Sequence, residues 1–447
     1  MTVILLIATI LFAQAPDTLW TRTYGGAGQD SCWSAQYTAD HGFILAGWTD
    51  SYGAGGHDFY LVKTDLLGDT VWTRTFGGTD VDECLAVIQT FDGGYVAGGR
   101  TLSFGTDYDV WLIKTDAQGD TQWTKTIGGS GYDMCRGLYQ TSDSGFILTG
   151  TTNSYGADSF DIYLIRTDKN GDALWTKTFG GPLNENGYTV TQTIDGGFLI
   201  AGWTQSFGAG NYDAYIIKID PSGDSLWSFL WGGTSMDKGC SVIEANDGSY
   251  MIAGWTYSFG PDVQNAYLLK MTTTGDTVWT KYYGDDVYSV VYSVQKTTDG
   301  GYILAGTTGS SNPTADVYLV KTDSMGDMQW STRYGGNGQD CGWSAEQTDD
   351  GSYYIAGWTG SFGSGGADFY LVRTGLEQNI LEDKKICPYI SLNLKTAIFC
   401  SPLRLPAGKT YRVFDITGRA VMPNMLKPGV YFIEIDGVIT GKVVKVR

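Results

Sequence analysis

The sequence predicts an all-β chain: a seven-bladed β-propeller of four-stranded blades, its last blade closed by an N-terminal strand, followed by a small C-terminal β-sandwich. Three observations carry this expectation. A tryptophan recurs at Trp20, Trp72, Trp123, Trp175, Trp227, Trp279 and Trp330, at intervals of 51 or 52 residues, and a fixed period of this length marks a repeat architecture. Each repeat holds four short runs rich in β-branched and aromatic residues, in the first copy 19–24, 31–38, 42–49 and 58–65, bounded by Gly and Asp. Glycine supplies 63 of 447 residues and helix-favouring runs are nearly absent, while 42% hydrophobic content leaves material for a packed core.

Taken in order, residues 2–15 (TVILLIATILFAQA) form an apolar run ending in Ala13-Gln14-Ala15. That pattern reads as a signal peptide over residues 1–15, and it is too short for a permanent membrane span. The mature chain is therefore expected outside the cell or on its outer surface, without a transmembrane segment. The ring is expected over 16–374. If the runs flanking each Asp-Gly-Gly are the first two strands of a blade, the Trp run is the fourth. The last repeat lacks a Trp run after Arg373, and 19–24 supplies it, which removes the open sheet edges that invite aggregation.

The loops divide into two sets. Asp-Gly-Gly turns (at Asp92, Asp195 and Asp299) and TDxxGD turns (64–69, 115–120, 167–172 and 322–327) are tight hairpins, because Gly accepts φ > 0 and Asp tolerates it. Longer glycine-rich loops (50–57, 204–212 and 360–367) and the links between repeats emerge on the opposite face. The recurring Trp is assigned to blade packing. Full burial removes roughly 150–250 Å² from water, roughly 4–6 kcal/mol gross at about 25 cal/mol/Å².

The D-x-x-G-D-x-x-W turn resembles the Asp-box of sialidase-like propellers and the tryptophan-docking motif of quinoprotein propellers. The resemblance implies a structural role for Asp65, Asp116 and Asp168 and carries no chemistry. The whole repeat unit looks like those of uncharacterised secreted bacterial propellers. After a polar linker, 375–386, the segment 387–447 contains YRVFDITGRAV (411–421), LKPGVYFIEI (426–435) and GKVVKVR (441–447). This resembles the C-terminal sorting domain of type IX secretion cargo, matching at Asp415, Gly418, Arg419, Gly429, Tyr431, Lys442 and Arg447. The resemblance implies a β-sandwich that engages secretion machinery.

The net charge of −19 repels phosphate backbones and anionic lipid, so nucleic acid is not an expected partner. Cys32, Cys84 and Cys135 occupy equivalent positions and read as small buried side chains, while Cys387 and Cys400 are the candidates for a disulfide. No CxxC or His-rich ligand set points to zinc, and the glycine-rich loops open no helix that would cradle a phosphate. The two histidines, His41 and His57, stand without a nucleophile constellation, so no catalytic residue is assigned. Clustered carboxylates at Asp80 and Asp82 and at Asp285 and Asp286 are candidate calcium ligands; otherwise no cofactor is expected.

Aromatics carry the candidate ligand site. Tyr52, Phe207 and Phe362 recur in the long loops. Trp48, Trp203, Trp255 and Trp358 share one position that other repeats fill with Arg100, Thr151 and Thr307, and a residue that varies inside a constant frame is the better ligand candidate. The leading expectation is an exported, non-catalytic propeller that binds a polysaccharide or a surface protein. The alternatives are a polysaccharide hydrolase or lyase that uses loop carboxylates, and a structural surface-layer component.

Overall fold

The computed structural model describes residues 14–157, 159–284, 288–309 and 315–377 and, nearer the C-terminus, 397–399, 411–415, 419–422, 427, 429–435 and 438–445. Ala15–Glu377 forms one compact unit, and the C-terminal strands belong to another.

The first strand, β1 (Thr18–Tyr24), is followed by the first complete blade: β2 (Asp30–Tyr37), β3 (Phe43–Thr49), β4 (Asp58–Thr64) and β5 (Thr70–Phe76), an antiparallel sheet in that order. Five more sheets of the same order follow, over 82–127, 133–179, 185–231, 237–283 and 288–334. The seventh contributes Asp340–Gln347, Tyr353–Thr359 and Asp368–Thr374, and β1 completes it. Its register runs from Thr18 opposite Thr374 to Tyr24 opposite Phe369. First strands of neighbouring blades touch all the way round, so seven blades close a circle with those strands at the axis. The expected seven-bladed propeller with N-terminal closure is the observed fold.

Sequence explains each layer. Third strands such as DFYLVKT are buried throughout, as their continuous apolar composition requires, whereas fourth strands alternate exposed and half-buried. The core lies between blades. At the closing joint Phe43, Leu45 and Tyr60 of the first blade pack with Tyr24, Tyr354 and Phe369 of the seventh. His41 and Ser144 hold φ of 63° and 71° where Gly93 holds 84° in its own hairpin, as an Asp-Gly-Gly turn demands. In the TDxxGD turn, Asp65 Oδ1 accepts from the backbone N–H of Leu67 (2.8 Å) and Asp69 (2.9 Å).

Two details differ from the sequence reading. The recurring tryptophans sit on outermost strands, and six of the seven are half-buried, with only Trp330 buried. Each gains less than the full burial expected. Their partner is the turn of the next blade: a Cβ on Gly68 would lie 2.8 Å from the Trp20 ring, and one on Gly171 2.7 Å from that of Trp123. The second detail is a cation under every Asp-Gly-Gly hairpin. Lys63 reaches Asp40 at 2.9 Å, Lys218 reaches Asp195 at 2.9 Å and Arg373 reaches Asp350 at 2.5 Å, each from a buried stem.

The C-terminal strands, Ala397–Phe399, Tyr411–Asp415, Ala420–Val421, Gly429–Ile435 and Val438–Lys445, form one five-stranded sheet. Asp415 Oδ1 accepts from Arg419 N at 3.0 Å, and buried Tyr431 donates to Lys427 O at 2.8 Å. Gly429 pairs with Lys445 and Lys442 with Phe432. Residues 1–13 of the expected signal peptide, Asp285, Asp286, Cys387, Cys400, Gly418, Arg447 and the second layer that the expected sandwich requires lie outside the described residues.

Candidate functional site

Every innermost strand carries a β-bulge, at its fourth residue in six blades and at its fifth in the sixth blade. In β2 the register shifts between Cys32 and Ser34, which leaves Trp33 unpaired; the same shift frees Arg136, Tyr188, Tyr292 and Trp343 in their blades. A bulge re-aims a side chain out of the alternating pattern, and these meet one another at the axis. Trp33 and Trp343 approach to 4.4 Å between ring centroids, and Tyr292 stacks on Trp343 at 4.0 Å. The Arg136 guanidinium lies 4.0 Å from the Tyr188 ring, 5.6 Å from Trp33 and 5.8 Å from Trp343. An aromatic floor with one arginine thus crosses the centre of the ring.

Above that floor, on the face of the long loops, opens a cavity of about 1140 Å³. Trp48, Trp255 and Trp358 line it together with Trp33, Tyr292 and Trp343. Its polar lining includes Gln29, Gln264, Gln339, Ser31, Thr307 and Thr308, amides and hydroxyls without net charge. Three of the four sequence-predicted tryptophans therefore converge on one space. The fourth, Trp203, packs edge-on against Tyr212 at 4.6 Å under the Lys238 ammonium, which also faces Trp255 at 5.2 Å.

The opposite rim, built by the first three blades, is filled by its own side chains. Trp48 stacks on His57 at 3.8 Å, His57 Nδ1 lies 2.9 Å from Glu83 Oε1, and Arg100 donates to Glu83 Oε2 at 2.6 Å. Tyr108 and Tyr132 pack on the Arg100 guanidinium. Glu83 is thereby committed to a cation and a histidine.

The loop aromatics lie elsewhere. Tyr52 and Tyr155 fold back to donate to Gly25 O and Gly128 O at 2.7 and 2.8 Å, and Phe207 and Phe362 lie on Tyr215 and Tyr370. They roof the joints between blades, with part of each ring exposed, and do not line the cavity.

Beneath them runs a feature that the sequence reading missed. At six of the seven joints, the first residue of a third strand and the first residue of the next blade's inner strand are both carboxylates, such as Asp58 with Asp82 or Asp161 with Glu185. A Cβ on Gly180 would lie 1.8 Å from Asp161 Oδ1 and 2.3 Å from Glu185 Oε2, so only glycine lets the pair meet. The inner-strand partner accepts hydrogen bonds: Asp82 Oδ2 takes them from Gly78 N (2.8 Å) and the Ser103 hydroxyl (2.7 Å). Burial, reinforced by the neighbouring acid, holds Asp58 and Asp161 above the usual carboxylate range. The seventh joint replaces the pair with Asn265 and Ser289. The constant Asp at position 30, 82, 133, 237 and 340 was the available signal.

Of the candidate calcium ligands, Asp82 is turned into its joint and Asp80 stands exposed on the loop. Among the described residues no group of three or more His, Cys, Asp or Glu is placed to hold a metal. Cys32, Cys84, Cys135, Cys240 and Cys341 are buried free thiols, and burial pushes that of Cys32 up to about 12.

No family model matches the chain. Among curated proteins it is 27% identical over 198 residues to the regulatory protein FlaEY of Caulobacter vibrioides, covering 38% of this chain and 20% of that one. It is 22% identical over 221 residues to an uncharacterized WD repeat-containing protein of Acanthamoeba polyphaga mimivirus, covering 46% and 15%. The chain thus spans a fifth or less of the length of these relatives. Among solved structures it is similar to the Pan2 WD40 domain of Neurospora crassa (10% identity, 78% of this chain and 89% of that one, TM-score 0.49). It is also similar to the extracellular domain of a one-component system protein of B. thetaiotaomicron (10% identity, 96% and 59%, TM-score 0.46). The propeller assignment rests on the chain's own strand pairing, and these likenesses add no activity to it.

Proposed function

We propose that the ring is an exported, non-catalytic binding propeller that takes carbohydrate at the loop-side mouth of its axis. One observation carries this reading: the cavity bounded by Trp48, Trp255, Trp358 and the Trp33–Trp343–Tyr292 floor, with amides between the rings. Flat aromatic faces match the C–H faces of sugar rings, and Gln amides both donate and accept towards hydroxyls. Glu83, whose His57 partner stacks on Trp48, is held by Arg100 and His57, an arrangement for fixing side chains. The signal-peptide pattern and the likeness of 411–447 to type IX sorting domains support delivery to the cell exterior by secretion machinery.

The test is binding of the purified chain to a panel of polysaccharides while the solution is assayed for shortened products. Saturable binding without products, weakened at least tenfold by Trp358→Ala and by Trp255→Ala, is expected. Product release would make the chain an enzyme, and binding unaffected by either substitution would remove the mouth as the site.

A further inference from the structure

We propose that the saccharide bound at the mouth carries a carboxylate, received between Arg136 and Lys238. This rests on the mouth being a carbohydrate site and adds the charge of the occupant.

The argument begins with how this chain treats its cations. It holds 29 Lys and Arg against 48 Asp and Glu, and buried basic side chains meet a carboxylate under each hairpin, as Lys114 meets Asp92 and Lys321 meets Asp299. Arg100, at the mouth itself, has Glu83. Arg136 and Lys238 break that rule. Both are half-buried, and their contacts are with aromatic faces: Tyr188, Trp33 and Trp343 around Arg136, and Trp203, Tyr212 and Trp255 around Lys238. Among the described residues neither has a carboxylate or a hydrogen-bond acceptor for its charged head.

Neither cation lines the cavity itself; Arg136 stands against Trp33 and Trp343, and Lys238 against Trp255, rings that do. Both also act on the buried Cys240 thiol, Lys238 from its own strand. Donors without acceptors adjoin the two cations: the indole N–H groups of Trp33 and Trp343, near Arg136, and of Trp203, near Lys238, are buried and without a hydrogen-bond partner. Buried donors left in this state are uncommon. An oxygen-rich anion supplies what all of them lack.

The chemistry narrows the anion. A guanidinium matches a planar carboxylate through two parallel N–H donors, and the adjoining aromatic floor takes the ring that bears it. The net charge of −19 works against a polyanion, so the occupant carries one carboxylate or widely spaced ones, as in a glycan with a terminal uronic acid. Nucleic acid and densely sulfated chains are disfavoured by the same field.

The test compares two tetrasaccharides that differ only in a terminal glucuronic acid or glucose, titrated by calorimetry into the full chain. The acidic sugar is expected to bind at least tenfold tighter, with a preference that falls as salt is raised. Arg136→Gln and Lys238→Gln should each cost the acidic sugar about tenfold more than they cost the neutral one, the scale of one charge-assisted hydrogen bond; Arg136→Lys, which keeps the charge, checks for misfolding. Equal affinity for the two sugars, or a preference that survives both glutamines, overturns the carboxylate and leaves the mouth as a neutral-sugar site. Binding of neither sugar takes down both readings. Tight binding of a peptide through its C-terminal carboxylate, with no sugar bound, also overturns this one.

Discussion

Removing residues 15–24 should open the ring. The segment contains β1, whose pairing with Asp368–Thr374 gives the seventh blade its fourth strand. Tyr24 is 8% exposed within the joint between the seventh and first blades, and loss of a buried aromatic costs about 3–5 kcal/mol. Its hydroxyl donates to Gly68 O at 2.6 Å, worth about 1 kcal/mol. Trp20, edge-on to Phe43 at 6.1 Å, adds roughly 1–2 kcal/mol for a half-buried indole. The sum, about 5–8 kcal/mol, matches the whole stability of many folded proteins. It also leaves Asp368–Thr374 as an unpaired edge built on Phe369, Leu371 and Val372. At about 2–4 °C per kcal/mol, the melting temperature should fall by at least about 10 °C, with aggregation on heating. Light scattering and circular dichroism followed together measure both, and a synthetic peptide of residues 15–26 added in trans should restore part of the loss. A truncated chain that melts within about 2 °C of the intact one would refute the closure argument.

Three further perturbations probe the joints and hairpins. Asp161→Asn should stabilise the ring at neutral pH by about 0.5–2 kcal/mol, because it removes one of two facing carboxylates and its amide can donate towards Glu185; in the uncharged joint the Asn265 amide donates to Phe259 O and Asp262 O. A carboxyl whose pKa is raised on folding contributes stability below its unfolded value of about 3.8 that is lost as pH rises through the folded value. The advantage of the Asn variant should therefore shrink as pH is lowered towards 4, measured as melting temperature against pH. Gly180→Ala places a methyl 1.8 Å from Asp161 Oδ1 and should cost about 3 kcal/mol in urea denaturation, whereas Gly93→Ala, open on all sides but at φ 84°, should cost only about 1 kcal/mol. Asp247→Ala removes a carboxylate held down at about 2 by the Lys270 hydrogen bond. The fall from 3.8 corresponds to about 2.4 kcal/mol undiluted, and with Asp247 57% exposed about 1 kcal/mol survives screening. That contribution is present above pH 4 and lost as pH falls through 2, so wild type and variant should converge in acid.

The frame of the ring was legible because its determinants are local and repeated. Turn glycines need φ > 0, third strands buried on both faces are continuously apolar, and the missing fourth strand of the last repeat had one source. Cross-blade partners were not legible. The Lys63–Asp40 pair joins residues 23 apart whose meeting depends on a blade being folded, and the Asp58–Asp82 pair joins two blades. Their signal was present as constancy: a basic residue next to last in each third strand, and an acid at the head of six of the seven inner strands. Constancy of that kind reads as turn chemistry until the pairing is known. The tryptophan turns misled in the other direction, since a residue repeated seven times looks like core although it is docked at half burial on a neighbouring glycine.

The mouth shows where a sequence of this kind carries its function. A blade admits many side chains at two places, the bulge of the inner strand and a position near the end of the second strand, because neither belongs to the hydrophobic clusters between the sheets. Frame requirements are silent there, so the seven copies are free to diverge: Trp33, Leu85, Arg136, Tyr188, Cys240, Tyr292 and Trp343 at the bulge, and Trp48, Arg100, Thr151, Trp203, Trp255, Thr307 and Trp358 above it. The second of these positions drew attention in the sequence because tryptophan is conspicuous; the first escaped because a bulge is invisible in a periodic pattern and its occupants share no type. Yet variability inside a rigid frame is the same signal at both. It separates residues that satisfy one another, His57, Glu83 and Arg100, from aromatic faces and two cations that, among the described residues, have no carboxylate partners. A propeller used only as a structural tile has no need of that asymmetry, since identical blades would close the axis equally well.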